Sequence, residues 1–208
     1  LHMSALQTAM NELSNHDHSR FLTRTNHRVG RISYAGAEAA SEGVNLAVMR
    51  EGVAIQMTWP GAPTVYYGDE AGLCGFTDPD NRRTYPWGRE DYQMIDFHRV
   101  MSRIHKQYEV LKTGSLALLW NDYQGLAYAR FSRKEQMIVI VNNMDHAREV
   151  EVQLWQAGIS RLEDAKMERV VCTSAEGFTE APEVYTAAAG ILRMQMPAFG
   201  CVVLYHKN

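Results

Sequence analysis

Read for the spacing of its apolar residues, the chain changes period once. Across residues 37–57, Ala40, Val44, Ala47, Val48 and Ile55 recur at i, i+4, i+7, i+8 and i+15, which is one face of an α-helix. Gly43 and Gly52 weaken that helix without breaking it. Pro60-Gly61-Ala62-Pro63 must end it, because proline lacks the backbone donor and clashes with the preceding turn. Thr64-Val65-Tyr66-Tyr67 then reads as a short buried strand that stops at Gly68-Asp69-Glu70. A second amphipathic helix carries Met94, Phe97, Met101, Ile104 and Tyr108 at i, i+3, i+7, i+10 and i+14. Ahead of both, Ala5 to Leu13 predicts a short helix or the approach to a strand, and the polar run from Ser14 to Arg20 interrupts it.

Past Tyr108 the helical spacing gives way to apolar runs of strand length: Leu116 to Trp120, Ala127 to Phe131, Met137 to Val141, Val150 to Leu154, Ile191 to Met196 and Val202 to Tyr205. Turn residues separate most of these runs, which predicts an antiparallel sheet or sandwich. The expected organisation is an α/β segment over residues 1–110 followed by an all-β domain over residues 111–208. The chain contains no internal repeat and no low-complexity stretch.

Composition narrows the choice of partners. With 46% hydrophobic and 22% charged residues the chain belongs with ordinary globular proteins and can bury a core. A net charge of -3, with acids and bases mixed along the chain, leaves no basic stripe for a phosphate backbone, so no nucleic-acid partner is expected. The longest apolar runs are far short of the roughly 20 residues that cross a bilayer, so no membrane span is expected. Cys74, Cys172 and Cys201 are odd in number and far apart, with no metal-binding spacing, which favours a reducing, cytoplasmic setting. Leu1-His2-Met3 lacks the charged and apolar regions of a signal peptide.

Candidate chemistry sits in the loops. Asn15-His16-Asp17, close to Arg20, places a carboxylate beside an imidazole at the mouth of an expected strand; taken alone, a capping Asp with a surface His explains it as well. His16 and His18 also form an HxH pair, but a metal site needs further placed ligands, of which His27 is the one candidate. The long loop from Gly72 to Gly88 carries Asp78-Pro79-Asp80-Asn81-Arg82-Arg83. Planar charged groups of this kind bind hydroxyl-rich ligands through charge-assisted hydrogen bonds, and equally could close a turn through a surface ion pair. Tyr85 and Trp87 in this loop could stack against a sugar ring, whereas Tyr66 and Tyr67 are expected to be core. Glu70 ends an expected strand, where a catalytic acid could stand, but a buried acid satisfied by backbone donors explains it better.

Taken in order, Ser14-Asn15-His16-Asp17, then Gly61-Ala62-Pro63-Thr64-Val65-Tyr66-Tyr67-Gly68-Asp69-Glu70-Ala71-Gly72, then Asp78 to Arg83 and Pro86-Trp87 resemble the late part of the α-amylase family of glycoside hydrolases. The Asp-Pro-Asp-Asn-Arg-Arg loop followed by Pro86-Trp87-Gly88 is most similar to the neopullulanase, cyclomaltodextrinase and maltogenic amylase group. The resemblance covers Ala5 to about Tyr108. It implies strands seven and eight of a (β/α)8 TIM barrel with their helices, followed by the family's C-terminal antiparallel β-sandwich. By motif position Asp17 would be the third catalytic carboxylate and His16 its neighbouring sugar ligand. Asp78 and Arg82 would bind the sugar two places toward the non-reducing end from the cleaved bond.

The resemblance further implies a retaining hydrolase or transglycosylase acting on α-1,4 or α-1,6 glucosidic bonds of maltodextrins, cyclodextrins or pullulan, without a cofactor. A retaining enzyme needs a nucleophile and a general acid facing each other across the bond. In this family they stand on strands four and five, and no such strand or Gly-x-Arg-x-Asp pattern precedes Asn15. The chain is therefore expected to be inactive alone, and to self-associate or accompany an N-terminal fragment. Two rivals remain: a carbohydrate-binding or structural fragment with no catalytic part, and a metal-dependent hydrolase built on His16, Asp17 and His18.

Overall fold

The computed structural model describes residues 2–28 and 30–208. Its first half is a single parallel crossover. After a short helix α1 (Met3–Gln7), strand β1 (Met10–Asn11) pairs in parallel with β2 (Ala62–Pro63). The turns α2 (Phe21–Arg24) and α3 (Ile32–Ala35) and the main helix α4 (Leu46–Thr58) lie between them. Helix α4 starts later than the apolar spacing suggests. Gly43 takes a φ of 65°, which turns the chain, and Asn45 then caps the helix, accepting from the backbone N–H of Ala47 at 2.9 Å and of Val48 at 3.2 Å. Ahead of the turn, Glu38–Ala40 forms one turn of 3-10 helix.

The expected strand at Thr64–Tyr67 is shifted. The parallel ladder runs through Ala62–Pro63 and closes with the Thr64 N–H donating to the Asn11 carbonyl at 2.9 Å. Beyond it the chain leaves the sheet, because Tyr66 and Tyr67 turn onto the Arg20 guanidinium, 4.5 and 4.9 Å from their ring centres. Tyr67 is 41% exposed and so is not the core residue that its position suggested. Helix α5 (Tyr92–Gln107) follows the predicted apolar face. Asp91 caps it by accepting from Met94 N–H at 3.0 Å, and Met94, Phe97, Met101 and Ile104 are buried.

After α6 (Glu109–Thr113) the elements are strands, apart from a 3-10 turn at Trp155–Ala157: β3 (Ser115–Asn121), β4 (Gly125–Phe131), β5 (Glu135–Asn142), β6 (Arg148–Gln153), β7 (Ala165–Thr173), β8 (Phe178–Thr179), β9 (Val184–Ala187), β10 (Ile191–Met196) and β11 (Gly200–Lys207). Seven of them form one antiparallel sheet in the order β3-β4-β5-β11-β7-β8, with β9 also on β7, and β6 pairs with β10 as a second layer. Alternation explains the second layer: Val150 and Val152 of β6 and Leu192, Met194 and Met196 of β10 face inward, with polar residues between them. Strand β7 escaped the sequence reading, because Lys166, Glu168 and Arg169 make its first half look like a polar loop.

Two cores result. Ile138, Ile140, Val202 and Leu204 on one face of the large sheet pack against the β6–β10 layer. Tyr128, Met137, Val139, Val171 and Val203 on the other face share a core with Met49, Val53 and Met57 of α4 and Phe97, Met101 and Ile104 of α5. Strand β5 is therefore buried on both faces, which is why it reads as an unbroken apolar run. Arg130 crosses the seam: fully buried, it donates to the carbonyls of Thr58 at 3.0 Å, Leu111 at 2.8 Å and Gly114 at 2.9 Å. Among the described residues, no helix is long and apolar enough to cross a membrane.

Candidate functional site

The turn after β1 is built by its own side chains. Asn15 Oδ1 accepts the backbone N–H groups of Asp17 at 2.9 Å and His18 at 3.2 Å, a local turn that leaves the residues at its tip in solvent. The His16 and Asp17 side chains are 59% and 68% exposed, and His16 Nε2 lies 3.5 Å from Asp17 Oδ1.

The long loop after β2 is tied to this turn. Asn81, fully buried, donates through Nδ2 to the carbonyls of Asn15 at 3.2 Å and His18 at 2.8 Å. Thr77 Oγ1 donates to the Asp17 carbonyl at 2.9 Å. Asp80 holds the loop in shape: Oδ2 accepts from Phe76 N–H at 2.8 Å, and the carboxylate takes Arg83 Nε at 2.9 Å and Nη2 at 2.8 Å. Asp80, Asn81 and Arg83 are thus framework. Asp78 and Arg82 stay on the exposed rim, joined by an Nε to Oδ1 contact of 2.5 Å. The hydrogen bond to Asp78 raises the Arg82 pKa, partial desolvation opposes this, and the charges of Asp78, Tyr66 and Asp17 add to the rise. The four predicted residues His16, Asp17, Asp78 and Arg82 therefore stand on two loops that Asn81 and Thr77 hold together.

Beneath the rim lies Arg20, which the sequence reading noted only as a neighbour. It is fully buried, donates to the Asn81 carbonyl at 2.9 Å, the Tyr67 carbonyl at 2.8 Å and Asp69 Oδ1 at 3.0 Å, and stacks under Tyr66 and Tyr67. Burial pushes the Asp69 carboxyl up to about 6, outweighing the opposing hydrogen bonds from Ser14 and Arg20 and the Arg20 charge. Nothing local in the sequence marks Arg20 as an anchor, since arginine is rarely buried unless paired. Its partner Asp69 lies 49 positions away.

Glu70 is half-buried rather than buried, and its Oε2 accepts from Gly68 N–H at 2.8 Å, the backbone donor expected of it. Tyr85 and Trp87 rings meet at 4.5 Å between centres, and Trp87 is 79% exposed. Among the described residues, no three His, Cys, Asp or Glu side chains gather into a group that could hold a metal ion, so His16, Asp17 and His18 form no such cluster. What the rim offers is a carboxylate that only accepts, a guanidinium that only donates, an imidazole and exposed aromatic surface, a set suited to a hydroxyl-rich ligand.

No family model matches the chain. An amylopullulanase of Thermoanaerobacter thermohydrosulfuricus is 35% identical over 158 residues, covering 70% of this chain and 10% of that protein. A cyclomaltodextrinase of Thermoanaerobacter pseudethanolicus is 32% identical over 145 residues, covering 68% of this chain and 22% of that protein. Neopullulanase 2 of Thermoactinomyces vulgaris is 32% identical over 158 residues, covering 74% and 24%. The crystal structure of an α-amylase from Geobacillus thermoleovorans, solved with acarbose, superposes with a TM-score of 0.74 at 18% identity, over 97% of this chain and 39% of that one. The chain thus spans between 10% and 24% of the length of these three sequence relatives.

Proposed function

Starting from the homology of this chain with the α-amylase family of glycoside hydrolases, we propose that it forms the late barrel wall and the β-sandwich of an enzyme acting on α-1,4 or α-1,6 glucosidic bonds. Residues 1–110 supply the wall and residues 111–208 the sandwich. The observation that carries the reading is the clasp of Asn81 on the Asn15 and His18 carbonyls, which keeps the Asp17 turn and the Asp78–Arg82 rim in one place.

On this reading Asp17 and His16 accept and donate hydrogen bonds to the sugar at the cleaved bond. The Asp17 carboxylate grips the ring hydroxyls more tightly as the ring distorts, so its contribution appears in the transition state rather than in ground-state binding. Asp78 and Arg82 grip a sugar further along, exchanging their mutual ion pair for hydroxyl partners. The mechanism is retaining, with a nucleophile and a general acid supplied from strands other than β1 and β2. The 208-residue chain alone does not hydrolyse glucan. Strands β1 and β2 form a sheet of two, whose open edges support pairing with further strands, from an accompanying fragment or a second copy. The free thiols Cys74, Cys172 and Cys201 support a cytoplasmic setting.

A second reading rests on the Asp78–Arg82 contact itself: the loop closes on its own ion pair and the chain is a structural or sugar-binding part with no catalytic share. Reducing-end release from maltodextrin and pullulan separates the two, measured for the chain alone and for a completed barrel containing it. In the completed barrel Asp17→Asn lowers kcat by orders of magnitude with an unchanged melting temperature, and Arg82→Ala acts mainly through KM. Turnover by the isolated chain, or a wild-type kcat for Asp17→Asn, overturns the proposal.

A further inference from the structure

The outer layer of the sandwich holds a cavity of about 390 Å3 that the rim does not use, lined by Leu119, Gln153, Trp155, Gln156 and Arg161. Its volume falls within the range of about 300–1,000 Å3 typical of ligand pockets. Backbone irregularities build it. On edge strand β3, Leu118 lies opposite Tyr128 and Trp120 opposite Ala127, so Leu119 is the extra residue of a bulge. Gln153 ends β6, and Trp155 and Gln156 follow in a 3-10 turn.

The Trp155 ring is fixed in advance. Its Nε1–H donates to the Ala189 carbonyl at 3.0 Å, Ala189 holding a φ of 50°, and Gly190 brings backbone against the indole. A Cβ at Gly190 would sit 2.4 Å from Trp155 Cδ1, so glycine is required for that approach. The Arg161 guanidinium lies 3.9 Å from the centre of the ring. Among the described residues Arg161 has no carboxylate partner, and neither it nor Gln153 nor Gln156 makes a side-chain hydrogen bond within the protein. The cavity therefore combines Leu119 and the preset Trp155 indole, one face of which the Arg161 guanidinium covers, with two amide side chains that have no hydrogen-bond partner within the protein.

We propose that this cavity is a second glucan-binding site, taking one or two α-linked glucose units on the sandwich, apart from the Asp17 rim. A pyranose ring has an apolar C–H face for Leu119 and the indole, and hydroxyls that both donate and accept, which neutral amides match on both counts. An anion is disfavoured: the single guanidinium is stacked on Trp155, and Glu163 and Asp164 follow it two and three positions on. Glucan is taken as the ligand because of the function proposed above. A site here holds a long substrate while the rim engages another part of it, and two linked contacts raise the overall affinity through effective concentration.

The test is titration of the full chain with maltoheptaose, followed by NMR of backbone amide and indole N–H signals, with Trp155→Phe used to identify the Trp155 indole. The Trp155 signal is expected to move saturably. A Gln153→Ala/Gln156→Ala double variant, changed only at exposed side chains, should melt as the wild type and raise the Kd at Trp155 about tenfold, the loss of two net hydrogen bonds. Asp78→Ala/Arg82→Ala should leave the Trp155 response intact. If maltoheptaose shifts the Asp17 and Arg82 amides but not Trp155, or the double variant binds as the wild type, this site falls and the rim reading stands. If Trp155 responds while the rim does not, the site stands and the rim reading fails.

Discussion

The two halves of this molecule are held together by different means. The first half has a sheet of two strands, each of two residues, so its loops are fixed by buried polar side chains: Arg20, Asp69, Asp80 and Asn81 under the rim, with Gln56 on α4 donating to the Asn11 and Thr64 carbonyls. The sandwich has strands of six to nine residues along its central ladders and a backbone that satisfies itself. Its buried polar residues are few, namely Arg130, Gln136, Asn142 and Thr173. Where the ladder is short, individual side chains take over the duty of pairing backbone groups, and each becomes hard to replace. Where the ladder is long, the same duty is spread over many equivalent bonds.

The sharpest way to break this contrast is at its deepest ion pair. Arg20→Met leaves Asp69 buried without its partner and two carbonyls without a donor. The expected loss is about 3–5 kcal/mol, read as a lower urea midpoint with unchanged slope. A loss below about 1 kcal/mol, the range of an exposed pair, would mean that the network does not organise the first half.

Asn81→Ala tests the clasp without touching a charge. It removes two hydrogen bonds and leaves the carbonyls of Asn15 and His18 unpaired, an expected cost of about 2–3 kcal/mol. Because the change is local, amide exchange across residues 15–18 and 77–83 should accelerate while that of β5 and β11 keeps its order. Uniform acceleration in both halves would show that the loops do not depend on this side chain.

Glu51 gives the contrast a pH signature. The side chain is 3% exposed, Oε1 has no partner, and burial pushes its pKa up to about 8 from 4.5. The folded state then holds the proton more tightly than the unfolded chain. Its stabilising effect is complete below the unfolded pKa and is lost as pH rises through about 8. Glu51→Gln keeps the shape and removes the charge. Relative to wild type it should gain up to about 5 kcal/mol at pH 9 and little at pH 4, measured by melting temperature across pH. A constant difference at all pH values would rule out Glu51 as the titrating group.

The smallest effect belongs to the sandwich surface. Glu151 and Arg193 pair across β6 and β10 at 2.8 Å with both side chains about half exposed, so Glu151→Gln should cost no more than about 0.5 kcal/mol and less still in high salt. A cost comparable to that of Asn81→Ala would erase the distinction between the halves.

Periodicity was a good guide where burial follows the regular geometry of one element. The apolar stripe of α5 and the runs behind β3, β4, β5, β6, β10 and β11 lie where the spacing placed them, because a helical stripe or alternation, as in β6 and β10, is the imprint of one buried face, and an unbroken apolar run, as in β5, is the imprint of two. It was a poor guide to Thr64–Tyr67, where β-branched and aromatic residues suggest a strand but the two tyrosines instead cover a cation that comes from residue 20. Charged residues on the solvent side hid the first half of β7 for the converse reason.

The candidate site divides in the same way. The proposed sugar contacts His16, Asp17, Asp78 and Arg82 came from the resemblance of their motifs to a known family, and the structure leaves all four side chains exposed on two loops. Which acids and bases of the long loop would be framework was not visible. Asp80 and Asp78 are both aspartates two residues apart, yet one is 5% exposed and bound to Arg83 while the other stands at the rim. That choice depends on Arg20, Asn15 and His18, which lie about 60 positions earlier along the chain. The sequence by itself determined the element types, the order α/β then all-β, and the chemistry available at the rim, because these follow from local periodicity and residue type. Only the tertiary structure decided which charges are buried, how the first core joins α4 and α5 to the large sheet, and which loops meet, because burial and pairing are set by groups distant in the chain.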